Sequence, residues 1–366
     1  MTYEVSSNGF APVLIRSLMA AVASSMLLGC AGMSGGGAPS DQDPDFIAPI
    51  SDDGVRPTFR VIGRSLYDRC GVRVVLRGVN EMIIWSEGRD GVPEFSEIAK
   101  TGANTVRIVW SSEGLASELD VAISNALANK LIPMVESVDA TGNLSKVPEV
   151  VDYWLQPDVL AVLLKYEADL LLNIANEAGD VVWHDEFEET YTTAINRLRT
   201  AGLQLPLVID APFWGQDIDM LQSTGPDLIE ADPLSNLLFS VHTWWFDPSG
   251  RRARRELSQS YSRGLPLIVG EFAQHAVSGC DESPFGYTRL LAEAERYGVG
   301  WLAWSWGGVS NDDCAGQGSF DMTKDGYFGN WETDWGLEVA VTDPNSIMNT
   351  SVRPNSIVLG SCEEMT

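Results

Sequence analysis

Apolar and polar positions alternate along the chain in blocks rather than residue by residue. Eight short runs rich in Val, Ile and Leu recur: "RVVLRGVN" (73–80), "TVRIVW" (105–110), "LIPMVES" (131–137), "LLLNIANE" (170–177), "LPLVIDA" (205–211), "LLFSVHTW" (237–244), "LPLIVGEF" (265–272) and "VGWLAWSW" (299–306). Nearly continuous apolar runs of this length suit strands buried on both faces of a parallel sheet. Between them lie stretches with apolar residues at helical spacing, such as "ASELDVAISNALANK" and "FEETYTTAINRLRTAG". Strand–helix alternation repeated eight times predicts an α/β fold, a (β/α)8 TIM barrel. A doubly wound open sheet is the alternative, but no GxGxxG follows the first run, which argues against a dinucleotide fold. Upstream, "FRVIGRSLYDRCGVRVVLRG" predicts an N-terminal β-hairpin that turns at Cys70–Gly71 and caps the barrel floor.

The runs break on polar residues, and that is where a barrel of this kind keeps its chemistry. The first ends near Asn80, the second carries Arg107, and the fourth ends in Asn176–Glu177. The sixth ends in His242 and Trp244, the seventh in Glu271, and the eighth in Trp304 and Trp306. Strands four and seven stand on opposite sides of an eight-strand ring, so Glu177 and Glu271 are expected to face each other across its mouth. A buried carboxyl is costly unless it is paired or has work to do. Two facing carboxyls can cleave a glycosidic bond, one protonating the leaving oxygen and the other attacking the anomeric carbon. A separation of about 5–5.5 Å gives retention and about 6.5–9.5 Å inversion. An Asn beside the acid can bond the sugar 2-hydroxyl, and an Arg beneath the nucleophile lowers its pKa. Trp rings offer flat faces to sugars.

Each residue also has a plainer reading. Asn176 could cap the following helix, Arg107 could be a structural ion-pair partner, and His242 a satisfied core histidine. Trp304 and Trp306 would share a strand face; one could be core packing, and Trp304 is the better platform. Trp85, Trp110, Trp214 and Trp245 divide between further subsites and packing, and Glu81 between a substrate contact and a solvated loop.

Composition narrows the partners. The 366 residues are 45% hydrophobic, enough for one large domain. A net charge of −27 argues against a nucleic-acid partner and for a neutral substrate. With only His184, His242 and His275 and no CxxC, no metal or other cofactor is expected. The N-terminal "LIRSLMAAVASSMLLGCAG" has a basic residue, a short apolar run and small residues around Cys30. "LLGC" resembles a bacterial lipobox, which implies lipidation at Cys30; an ordinary secretory peptide cut elsewhere is the alternative. Residues 31–56 are rich in Gly, Ser, Asp and Pro and read as a tether. Four further cysteines in an exported chain suggest two disulfides. Of the three pairings, Cys280–Cys314 would join the loops after strands seven and eight, and Cys70–Cys362 the two ends of the domain. Free thiols are the alternative.

Taken together, "NIANE", "VRIVW", "FSVHTWW", "LIVGEF" and "GWLAWSW", with "LRGVN", "AKTGANTVRIV", "DATGN" and "VIDAPFWGQD", resemble glycoside hydrolase family 5, and within it the bacterial endo-β-1,4-mannanase branch. The resemblance covers roughly residues 57–340. It implies a retaining enzyme with Glu177 as acid/base and Glu271 as nucleophile. It further implies Asn176, Arg107 and His242 as active-site supports and Trp304 as sugar platform. The chain departs from the branch in three places. It reads "NEMIIW" after strand one, Val138 where a His precedes "DATG", and Trp244 where strand six offers a Tyr to the nucleophile. An indole donates a hydrogen bond but accepts none. The expected organisation is a lipoprotein-type signal peptide (1–29), an acidic linker (30–56), a catalytic barrel (57–345) and a C-terminal tail packed on it (346–366). The expected protein is an exported, lipid-anchored monomer acting on a β-linked polysaccharide and touching the membrane only through its anchor. The alternatives are a β-1,4-glucanase of the same family and a non-catalytic β-glycan-binding barrel.

Overall fold

A computed structural model describes residues 58–278, 281–309 and 320–362. Eight parallel strands close into a barrel: β1 (Arg77–Glu81), β2 (Thr105–Trp110), β3 (Ile132–Ser137), β4 (Leu171–Asn173), β5 (Leu207–Asp210), β6 (Leu237–His242), β7 (Leu267–Glu271) and β8 (Gly300–Ala303). Neighbours in sequence are neighbours in the ring, and β8 pairs with β1 to close it. Each strand lies on one of the eight apolar runs. Every strand residue is buried, which is why the runs are continuous rather than alternating.

Helices fill the crossovers. The one after β2, Ala116–Ala128, buries Leu119, Ala122, Ile123 and Ala126, the one-faced spacing of an amphipathic helix. Burying Leu119 and Ile123 contributes about 1.5–3 kcal/mol each. Glu118 accepts a hydrogen bond from the Leu115 amide at 2.8 Å and so satisfies a free N–H at the helix start. The chain leaves this helix through Lys130 in a left-handed conformation. The segment after β4, His184–Thr200, buries Phe187, Tyr191, Ala194, Ile195 and Leu198 in the same way.

The barrel interior changes character with height. At the lower level Ile132, Met134, Leu171, Val208, Leu238, Ile268 and Leu302 pack with Phe59, Val61, Leu66 and Val74 from the N-terminal segment. Two residues further along a strand the same face returns. There stand Glu136 above Met134, Asn173 above Leu171 and Asp210 above Val208. An apolar plug therefore supports a polar layer.

The N-terminal segment is a three-stranded antiparallel sheet rather than a two-stranded hairpin. Ser65–Tyr67 and Arg73–Val74 form the hairpin around Cys70–Gly71, and Arg60–Ile62 adds a strand by way of Gly63 at φ +57°. That extra turn uses a glycine in the left-handed region, a signal present in "VIGRS". The C-terminal segment also lies against the floor. Arg353 donates to the carbonyls of Ala103 (2.8 Å) and Ala99 (2.7 Å), and Ser356 donates to Asp68 at 2.6 Å. A Cys70–Cys362 disulfide ties this segment to the N-terminal sheet. The expected signal peptide, the Cys30 lipidation site, the linker and the Cys280–Cys314 pair lie outside the described residues. Among the described residues no helix is long and apolar enough to cross a membrane.

Candidate active site

Glu271 is the last residue of β7, where pairing with β6 shifts register between Val269 and Glu271. Such a shift re-aims a side chain. Its two oxygens are held separately. Arg107 Nη1 donates to Oε1 at 2.9 Å, and Trp244 Nε1 donates to Oε2 at 3.2 Å. Glu177 arrives differently. β4 ends at Asn173, so Glu177 stands four residues past the strand and not at its end. It adopts φ +46°, an uncommon conformation for a residue with a side chain. The turn is pinned on both sides. The Asn176 amide donates to the Ser137 carbonyl (2.8 Å), the Gly142 amide to the Glu177 carbonyl (2.9 Å), and the Glu177 amide to Asp210 Oδ2 (3.0 Å).

His242, at the end of β6, lies between the two carboxyls. Its Nδ1 is 2.7 Å from Glu177 Oε1 and 3.4 Å from Glu271 Oε2. One oxygen of each glutamate and one nitrogen of His242 all lie within 4.8 Å of one another. This is the group among the described residues whose spacing a metal ion could use, but the imidazole itself occupies the gap between the carboxyls.

Arg107 organises the layer beneath. It is fully buried on β2, and all five of its N–H groups are engaged. Nε and Nη2 donate to Asn173 Oδ1 (3.1 and 2.8 Å). Nη1 donates to Asn80 Oδ1 (3.0 Å) and to Glu271, and Nη2 to Asn176 Oδ1 (2.7 Å) and Asp210 Oδ2 (3.3 Å). Burial opposes its charge, but Glu136, Asp210, Glu271 and Glu177 outweigh burial and raise its pKa. Burial likewise opposes a charged His242, and Glu271, Asp210 and Glu177 raise it overall. Glu271 is pushed up to about 7, by burial first and by Glu177 and Asp210, while His242 and Arg107 pull it down. Arg107 lowers the pKa of Glu271, as expected of an arginine beneath it, but desolvation of a fully buried carboxyl exceeds the attraction of the guanidinium.

The site brings together Glu177, Glu271, Arg107, Asn176, His242 and Trp244. Asn80 is close but faces inward. Its amide donates to the carbonyls of Gly270 (2.9 Å) and Ala303 (3.1 Å), and its oxygen accepts from Arg107, so its bonds stitch β1 to β7 and β8 instead of facing the cleft. Trp304 is half-buried beyond the end of β8, with its amide donating to the Phe272 carbonyl at 2.8 Å. Trp306 is not beside it. It is fully buried and donates to the Gly326 carbonyl at 2.7 Å. β8 ends at Ala303, so the alternation of a strand does not govern residues 304 and 306. Trp110 and Trp245 are also core residues, whereas Trp85 and Trp214 are 56% and 40% exposed in the loops after β1 and β5. Glu81 is buried and not solvated.

Three buried polar residues of the layer escaped the sequence reading: Asp210, Asn173 and Glu136. Each stands two residues past an apolar residue that faces the barrel axis, in "LVIDA", "LLLNI" and "PMVES". Strand alternation carried two steps past the plug would have found them.

Relatives carry the same arrangement of chain. A sequence model of the family described as cellulase (glycosyl hydrolase family 5) matches residues 152–310. A mannan endo-1,4-beta-mannosidase of Salipaludibacillus agaradhaerens is 33% identical over 313 residues, 82% of this chain and 95% of the relative. One of Cellvibrio japonicus is 35% identical over 80% of this chain and 68% of its own. Among solved structures, a mannohexaose complex of Thermomonospora fusca beta-mannanase is similar with a TM-score of 0.73 and 30% identity, covering 82% of this chain and all of that one. Two carboxyls meeting at the C-terminal mouth of a (β/α)8 barrel, in a chain aligned with these relatives along most of its length, make this protein a glycoside hydrolase that belongs to glycosyl hydrolase family 5.

Proposed function

We propose that the protein is a retaining, endo-acting hydrolase of β-1,4-mannan-type polysaccharide. The observation that carries the mechanism is the approach of Glu177 and Glu271, with oxygens inside 4.8 Å. So close an approach of nearest oxygens supports the separation of about 5–5.5 Å of a retaining pair over the 6.5–9.5 Å or so that an inverting enzyme needs to seat a water. The names of the relatives support mannan as the substrate.

In the first step a Glu271 oxygen attacks the anomeric carbon as the glycosidic C–O bond breaks, and Glu177 gives its proton to the leaving oxygen. The product is a glycosyl ester on Glu271. In the second step Glu177 takes a proton from water, the water oxygen attacks the same carbon, and the ester bond breaks. Two inversions leave the configuration unchanged. Arg107 and Trp244 each hold one Glu271 oxygen and so limit the directions in which it can turn. Positioning of this kind supplies a large part of such rate enhancements.

The test is a reducing-sugar assay on β-mannan and carboxymethyl cellulose, with proton NMR of the first product formed. The expected result is release from mannan with the β-anomer appearing first. An α-anomer appearing first would end the retention reading, and full activity in Glu271→Ala would end the residue assignment. Val138, in the loop where the mannanase branch has a His, favours a second reading as a β-1,4-glucanase. Higher activity on the cellulose derivative would select it. We also propose export with a lipid on Cys30, tested by labelled palmitate incorporation in the wild type and its loss in Cys30→Ala.

A further inference from the structure

Glu136 of β3 is a carboxyl in the polar layer for which the two-step reaction has no use. It is fully buried, and neither oxygen has a hydrogen-bond partner among the described residues. Arg107 Nη1 is 3.9 Å away, too far for a hydrogen bond, and its two hydrogens are already given to Asn80 and Glu271. A carboxylate in that position would be a buried charge with no donor, one of the most costly arrangements in a protein. The charge count leads to the same place. Four carboxyls face this interior: Glu136 of β3, Glu177 after β4, Asp210 of β5 and Glu271 of β7. They share at most two positive charges, Arg107 of β2 and His242 of β6. Even with both cations charged, the layer is neutral only when two carboxyls carry protons. On the reading proposed above, Glu177 is one of them and Glu271 must be ionised. Asp210 Oδ2 accepts from the Glu177 amide and from Arg107, two donors of a kind that Glu136 lacks.

We infer that Glu136 is a positioning residue: an uncharged carboxylic acid packed beside Arg107 that leaves the guanidinium charge to Glu271 and Asp210. A charged Glu136 would compete with Glu271 for that one cation. The direction of its titration agrees: burial holds Glu136 well above the usual carboxylate range, Glu271, Asp210 and Glu177 add to this, and Arg107 works against it.

The test uses Glu136→Gln and Glu136→Leu in the full chain. The infrared difference spectrum of wild type minus Glu136→Gln at neutral pH is expected to contain the carbonyl stretch of a protonated carboxylic acid. No such band would overturn the inference whatever the enzyme cleaves. Glu136→Gln is expected to keep kcat within about threefold and both limbs of the kcat/KM pH profile within about half a unit. If Glu136 were ionised, removing its charge would draw both limbs to lower pH by about a unit, and the inference would fail. Glu136→Leu is expected to lose about tenfold or more in kcat with little change in KM, because Arg107 then faces an apolar wall. Wild-type kcat in the Leu variant would make Glu136 mere filling and sink its positioning role. Should the Leu variant not fold, the Gln variant and the infrared band still decide. A wild type that cleaves no β-glycan would overturn the proposed function and leave the infrared result standing.

Discussion

Glu271 is pulled in two directions, and the balance should be visible in kinetics. Burial and the neighbouring Glu177 push it up to about 7, while His242 and Arg107 hold it down. The proposed mechanism needs Glu271 ionised, so activity is expected to fall as pH drops through about 7. Glu81 makes a separate prediction about stability. Burial raises it from 4.5 to about 8, with Glu94 adding to the shift and the amides of Gly308 and Met82 opposing it. A raised carboxyl binds its proton more tightly in the folded state. Its contribution is therefore complete below about 4.5 and is lost as pH rises through about 8. Thermal melts between pH 5 and 9 should show the wild type losing stability relative to Glu81→Gln as pH increases.

At the scale of elements, Glu177 is placed by a turn and Glu271 by a strand. β4 is short, and the chain beyond it is held by the loop after β3 through the Thr141–Ala178 bridge and the Gly142–Glu177 hydrogen bond. Gly142 has φ +70°, and a Cβ there would come within 2.8 Å of Trp214 Nε1. Both facts require glycine at this position. Gly142→Ala is expected to lower stability by about 1 kcal/mol or more. It should also reduce kcat on polymer several-fold, because the Glu177 turn and the Trp214 ring rest on the same residue. An unchanged kcat with an unchanged melting temperature would show that the loop does not position Glu177. The apolar runs announced all eight strands because each is buried on both faces. They did not announce where β4 and β8 stop, since Ile174, Ala175 and Trp306 remain buried after the ladder ends. The apolar signal outlasts the strand, and so Glu177 and Trp306 were both read as strand residues.

For the whole molecule, the N-terminal sheet and the segment that ends the described residues meet beneath the barrel, and Cys70–Cys362 closes a separation of 292 residues. Cross-links of long loops restrict the unfolded chain most, and this one is expected to contribute about 2–5 kcal/mol. The Cys70→Ser, Cys362→Ser double variant should melt at a lower temperature with little change in kcat, because the bridge is on the floor and the chemistry at the mouth. Equal melting temperatures would show that the Ser356–Asp68 and Arg353 contacts already hold the ends.

By itself the sequence determined the fold class, the strand count and the two glutamates, because continuous apolar runs and the polar residues that end them depend on local pattern and chain order alone. Only the tertiary structure decided what surrounds those glutamates. Asp210, Asn173 and Glu136 come from different strands, and Asn80 and Trp306 turn inward. Whether a side chain meets a cleft, a core or a buried cation depends on distances across the closed barrel, and no local pattern records them.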